Sequence, residues 1–183
     1  VSLGLIDPDY NKTFLFEASP DIGIQLKMLH NYLPSKKNEM VDGIFITHAH
    51  IGHYTGLMYL GKEALNTQEI PVHVLPKMKL FIEENGPWNQ LLFNKNIIIN
   101  TLLENSKMLL TSNISIIPFT VPHRNEYSET CGYKILGPNK SILFIPDIDK
   151  WVLWNNDLIK EIMSVDVAFI DGTFYNSNEI INR

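Results

Sequence analysis

The segment Thr47-His48-Ala49-His50-Ile51-Gly52-His53 holds three of the six histidines in a chain of 183 residues. It follows the apolar run Gly43-Ile44-Phe45-Ile46. Neutral imidazole is the commonest protein ligand for zinc and also suits iron, copper and nickel. His48 and His50 are two positions apart, so on an extended segment both rings face one side and can address one ion. His53 comes three residues later, where a turn brings it near without making it share that ion. Ala49 and Gly52 are small and let the backbone bend sharply. An isolated histidine is usually a surface or packing residue. Three of them directly behind a buried strand indicate a metal site.

The elements that must position this cluster are legible in outline. Val1–Asp7 and Thr13–Ala18 read as strands around the polar turn Pro8–Lys12. Ser19-Pro20-Asp21 is a helix start in which Ser caps, Pro takes the first helical position and Asp complements the dipole. Ile22, Leu26, Leu29 and Leu33 continue it at helical spacing. Gly43–Thr47 and Pro71–Leu75 are strands, with a helix expected over Thr55–Leu65. Lys77–Glu84 is a helix stopped by Asn85-Gly86-Pro87. Asn96–Leu103 and Ile114–Val121 are strands. Thr130–Leu136 and Ser141–Ile145 form a hairpin around Gly137-Pro138-Asn139-Lys140. A helix is expected over Trp151–Met163 and a final buried strand over Val165–Ile170. The order suits two sheets, or a mixed sheet, with outer helices, and does not read as regular βαβ alternation.

Composition narrows the function classes. Apolar residues make up 45% of the chain and charged residues 19%, as in a globular protein with a core. The net charge is −5, and the 15 lysines and arginines are scattered, so no basic stripe for nucleic acid appears. Apolar runs are short and interrupted, so no membrane span is expected. A lone Cys131 allows no internal disulfide, which favours a cytoplasmic setting. The chain starts at Val1 already in a strand-like pattern and stops at Ile181-Asn182-Arg183 without a tail. Segments are therefore expected to be missing at both ends, and a single domain is expected over 1–183.

His48-Ala49-His50-Ile51-Gly52-His53 resembles the His-x-His-x-Asp-His signature of the metallo-β-lactamase superfamily. Further segments match in order: Phe16-Glu17-Ala18, Val121-Pro122-His123, Leu143-Phe144-Ile145-Pro146-Asp147 and Val167-Ala168-Phe169-Ile170-Asp171. "FEASPDI", "VPHRNEY" and "LFIPDIDKW" are similar to the branch containing the pyrroloquinoline quinone biosynthesis protein B. The resemblance implies an α+β fold, an αββα sandwich of two mixed sheets flanked by helices, with its metal site at one edge. It implies His48, His50, His53, His123 and Asp147 as metal ligands. Asp147, at its strand end, matches the bridging aspartate, whereas Asp149 suits a helix cap near Lys150. Glu17 and Asp171 are candidates to orient a ligand histidine. Arg124 is a candidate clamp for a carboxylate or phosphate, or else a surface ion-pair residue. Glu126, Tyr127 and Thr130 are candidates to line the pocket. His30, His73, Cys131, Trp151 and Trp154 read as packing residues.

The sequence departs from the family pattern at two places. Position 52 is Gly where the signature has Asp, and no histidine follows His123. Both losses fall on the second metal position, which retains only His53 and the shared Asp147. One tightly held Zn2+ is therefore expected, with a weak or empty second position. Three histidines and an open position make a catalytic rather than a structural zinc site, able to bring bound water to a pKa of about 7. The implied activity is a metal-dependent hydrolase using metal-bound hydroxide on an ester, phosphodiester or related bond of a small molecule. Three imidazoles and a carboxylate also suit Fe2+, so an iron-dependent oxidoreductase of the quinone-cofactor branch is a different reading. A non-catalytic relative is a third.

Overall fold

A computed structural model describes residues 1–173 except Asn155. The chain end Ile181-Asn182-Arg183 lies outside the described residues. The described residues form two five-stranded sheets. The first runs β1 (Leu3–Asp7), β2 (Lys12–Phe16), β3 (Gly43–Phe45), β4 (Ile70–Val74) and β5 (Ile97–Thr101), in that order across the sheet. β1 and β2 pair antiparallel, and β2 to β5 are all parallel. The second has the order β10-β9-β8-β7-β6, from β6 (Met108–Leu109) through β7 (Ser115–Thr120), β8 (Cys131–Leu136) and β9 (Ser141–Ile145) to β10 (Val167–Ile170). β6 to β9 pair antiparallel, while β10 lies parallel to β9.

Period-two patterning builds the layers. Phe14 and Phe16 point between the sheets with Phe45, where they meet Tyr133, Ile135 and Phe144. Phe16 and Tyr133 are fully buried, with ring centroids 5.2 Å apart at 68°. Leu15, Ile44, Val72 and Val74 point the other way. They bury Ile22, Leu26 and Leu29 of α1 (Ile22–Tyr32), together with Met78 and Ile82 of α3 (Pro76–Glu84). The outer face of the second sheet packs Leu143 and Ile145 against Trp154, Leu158 and Ile162, the last two from α5 (Leu158–Met163). The result is a mixed α+β sandwich of two mixed sheets flanked by helices.

Several expectations are corrected. From β2 to β5 the chain does alternate in βαβ fashion. The pattern is hidden because β3 is three residues long and is followed by only a four-residue helix, α2 (Ile51–Tyr54), and a 3-10 turn, Thr55–Leu60. α1 starts at Ile22 with Asp21 at its N-cap position, and Ser19 stands two residues ahead, its hydroxyl accepting from Asp21 N at 3.4 Å and from Gln25 Nε2 at 2.7 Å. The short helix α4 (Trp88–Phe93) and strand β6 were not expected. The helix expected over Trp151–Met163 is split into a 3-10 turn, Trp151–Leu153, and α5. Asp157 restarts it by accepting from the Ile159 and Lys160 amides. Among the described residues β10 is an edge strand, with Val167, Phe169 and Ile170 exposed rather than buried. Among the described residues no helix is long and apolar enough to cross a membrane.

Candidate metal centre

β2, β3, β7, β9 and β10 deliver their C-terminal ends to one edge of the sandwich. Glu17 follows β2 directly, His48 and His50 follow β3, His123 follows β7, Asp147 follows β9 and Asp171 follows β10. Backbone bonds lock these ends together. The Glu17 amide donates to Phe45 O at 2.8 Å, Ala18 N to His53 O at 2.8 Å, and Cys131 N to Thr47 O at 3.1 Å. Gly56 N donates to Ala18 O at 2.8 Å, and a Cβ at Gly56 would stand 2.1 Å from Ser19 O, so only glycine fits there. Glu17 sits at φ 73°, a left-handed conformation that costs a non-glycine residue on the order of 1–3 kcal/mol.

Four side chains converge on one point. One donor atom from each of His48, His50, His123 and Asp147 lies within 4.8 Å of every other. His48 Nε2 is 2.8 Å from His50 Nδ1, and His123 Nε2 is 3.0 Å from the same Nδ1. Asp147 Oδ2 stands 3.5 Å from His48 Nε2 and 3.6 Å from His123 Nε2. A tetrahedron with Zn–N bonds of ~2.1 Å has edges of about 3.4 Å, so small ring rotations open this set to that spacing. His53 lies outside the group of four. Its Nε2 is 3.2 Å from Asp147 Oδ2, and its Nδ1 faces the Glu17 carboxylate at 3.5 Å.

The nitrogens turned away from the cluster are faced by oxygens. Thr47 Oγ1 is 2.8 Å from His48 Nδ1, and Glu126 Oε2 is 3.0 Å from His50 Nε2. Asp149 Oδ1 approaches His123 Nδ1 at 2.7 Å, out of line for a hydrogen bond. Thr47 and Glu126, at hydrogen-bond distance, fix which nitrogen of His48 and His50 carries the proton and aim the other lone pair inward.

Electrostatics point the same way. Burial pulls His48 down to about 4, so its ring is neutral at pH 7, the form a metal requires. Burial also lowers His123. Burial opposes charge on Asp147, but the hydrogen-bond distances to His48 and His53 outweigh it and hold the carboxyl well below its usual range. Burial likewise opposes charge on His53, yet Asp147 and Glu17 outweigh it and raise it to about 9. Glu17, fully buried, is raised by desolvation. Inward-aimed lone pairs on neutral rings repel unless a cation lies between them, so the donor set fits a metal ion.

The remaining candidates are placed as follows. Asp171 contacts no histidine: its carboxylate accepts from Ile148 N at 3.2 Å and from Thr173, anchoring the backbone beside Asp147. Asp149 caps no helix and faces His123 instead. Arg124 is exposed and makes no ion pair among the described residues. Gly52 opens on free space, with nothing within 4 Å of a Cβ built there. Tyr127 is exposed on the loop that carries Glu126, and buried Thr130 donates to Asn125 Oδ1 at 3.2 Å. His73 is buried in β4, stacked on Phe45 with centroids 4.4 Å apart. Sequence reasoning missed the partners of the histidines, Thr47, Glu126 and Asp149. Each lies within three residues of a ligand candidate, but spacing does not say which ring a loop carboxylate will reach.

The family model for the beta-lactamase superfamily domain matches residues 12–183. Among solved structures the chain is similar to Zn(2+)-bound PqqB from Methylobacterium extorquens, at 19% identity and a TM-score of 0.72, covering 94% of this chain and 60% of that one. It is similar to a metallo-beta-lactamase motif mutant from Cronobacter sakazakii, at 14% identity and a TM-score of 0.57, covering 89% and 64%. It is also similar to the metallo-beta-lactamase fold protein YhfI from Bacillus subtilis, at 12% identity and a TM-score of 0.51, covering 73% and 50%. The chain thus spans about 60% of the length of PqqB, and at these identities the likeness is one of fold. No curated protein matches the chain.

Proposed function

The chain belongs to the beta-lactamase superfamily, and from that membership and the edge cluster we propose that it is a metal-dependent hydrolase of a small-molecule ester, phosphodiester or related bond. The observation that carries this reading is the convergence of His48, His50, His123 and Asp147 within 4.8 Å at a half-open edge. His48, His50 and His123 are assigned as ligands of one ion, with zinc as the metal. When bound, the ion supplies Lewis acidity toward the substrate oxygen and toward water.

The chain's own residues do the rest. Asp147, side chain 28% exposed, reaches both the cluster and solvent, so it is assigned to complete the donor set and to hold the attacking water. His53, between Glu17 and Asp147, orients Asp147 and is the remaining imidazole for a second ion. With Gly52 contributing no donor, that second position is assigned as weak or empty. Glu17 supports His53, Asp171 supports the Asp147 turn, and Arg124 is the one cation on the His123 loop for an anionic substrate group.

The test is metal analysis of protein purified without added metal, followed by turnover on phosphodiester, thioester and lactone panels. Zinc near one equivalent, with turnover lost in His50→Ala, supports the hydrolase. Three imidazoles and a carboxylate also hold iron, so co-purified iron with oxygen-dependent turnover selects an oxidoreductase instead. Protein that takes up no metal overturns both.

A further inference from the structure

His50 meets the cluster differently from its neighbours. His48 and His123 turn Nε2 inward, whereas His50 turns Nδ1 inward, 2.8 Å and 3.0 Å from those two atoms. A neutral imidazole carries its proton on one nitrogen, and only the other has a lone pair for a cation. Inward Nδ1 therefore requires the proton on Nε2, and an acceptor facing Nε2 selects that tautomer. Among the described residues the only hydrogen-bond partner of His50 Nε2 is Glu126 Oε2, at 3.0 Å.

Glu126 is half exposed, yet its backbone is held by its neighbours. The strap 124–130 crosses the histidine loop between β7 and β8. Ser128 Oγ accepts from Ala49 N at 2.9 Å in a buried contact. The Glu129 carboxylate accepts from the Lys77 and Met78 amides at 3.1 and 3.2 Å, tying the strap to the start of α3. The Tyr127 ring packs on Phe81 at 5.7 Å. These contacts fix the strap over the three residues that follow Glu126, and its carboxylate is presented to one ring.

We propose that Glu126 is a positioning residue of the metal centre: it holds His50 Nε2–H so that Nδ1 is the donor. This rests on the metal reading above. It also gives the strap a role, because the element that covers the histidine loop sets the tautomer of one of its rings.

The experiment measures zinc affinity by chelator competition on the unmodified chain, on Glu126→Ala, Glu126→Gln and Glu126→Asp, with ring-nitrogen NMR of His50 in the zinc-free state. Glu126→Ala is expected to bind zinc about 10–100-fold more weakly, the effect of losing a ligand's hydrogen-bond partner. Glu126→Gln, whose amide oxygen still accepts, recovers most of the loss. Glu126→Asp keeps the charge but withdraws the acceptor by one methylene, and falls with Glu126→Ala. Should the alanine variant not fold, the aspartate variant carries the test. NMR is expected to show the Nε2–H tautomer in the unmodified chain and a mixture in Glu126→Ala. Unchanged zinc affinity in the alanine or aspartate variant overturns the proposal. Failure of the unmodified chain to bind zinc overturns instead the metal reading beneath it.

Discussion

Two histidine environments sit one strand apart in this molecule. At the sandwich edge, His48, His50 and His123 each turn one nitrogen toward a common point and the other toward an oxygen, from Thr47, Glu126 or Asp149. In β4, next to β3, His73 stacks flat on Phe45 and its buried Nδ1 has no hydrogen-bond partner among the described residues. Burial lowers His48, His123 and His73 alike, yet only the edge rings are aimed. A histidine's chemistry here is set by what faces its second nitrogen. His73 has an aromatic face for company and fills space; the edge rings have acceptors that orient them and an open side.

The contrast can be broken most sharply by truncation. Removing His123 or His50 as alanine should weaken zinc binding by at least ~100-fold, beyond the ~10–100-fold set for partners that only orient a ligand. His73→Leu should leave zinc affinity unchanged in the same chelator competition. Equal losses at the two places would erase the distinction between edge and interior rings.

A second expected difference is in stability. Zinc at 100 times its dissociation constant should stabilise the chain by about 2.7 kcal/mol, seen as a rise in thermal midpoint. His123→Ala should show no such rise, and His73→Leu should show the full one.

The interior site should reveal itself through acid. Burial holds His73 down to about 4, below its ordinary 6.5. Between those values the unfolded chain binds a proton that the folded chain refuses. The His73 contribution therefore lowers stability as pH falls from 6.5 toward 4, with a limiting slope of about 1.4 kcal/mol per pH unit, and is constant above 6.5. Denaturant unfolding at several pH values, comparing the unmodified chain with His73→Leu, should show that slope removed. Parallel curves would mean that His73 accepts its proton in place.

The smallest effect concerns Gly52. Its Cβ direction is open and its φ is not in the left-handed region, so Gly52→Asp should change stability by no more than about 0.5 kcal/mol. The new carboxylate should raise bound zinc above one equivalent by strengthening the position that His53 and Asp147 leave incomplete. Unchanged stoichiometry would show that the side chain at 52 is not what weakens it.

The strands were legible wherever apolar alternation met turn chemistry. The β8–β9 hairpin around Gly137–Lys140 and the α1 stripe Ile22, Leu26, Leu29 both appear where their spacing puts them. The βαβ character of the first sheet was not legible, because β3 and α2 are too short for either periodicity to register. Nor was the split of the Trp151–Met163 helix, where Asp157 overrides a continuous apolar pattern by capping a new start.

What the sequence determined by itself was the identity of the donors: three histidines in one loop, one more at a strand end, an aspartate at another, and Gly52 in place of a carboxylate. Residue type fixes what an atom can donate or accept, and that is written in the chain. Which nitrogen of each ring faces inward was decided only by the tertiary structure. So was the pairing of Glu126 with His50 and Asp149 with His123. Those depend on distances between groups as far apart in sequence as 76 residues, brought together by two sheets whose strand ends meet at one edge.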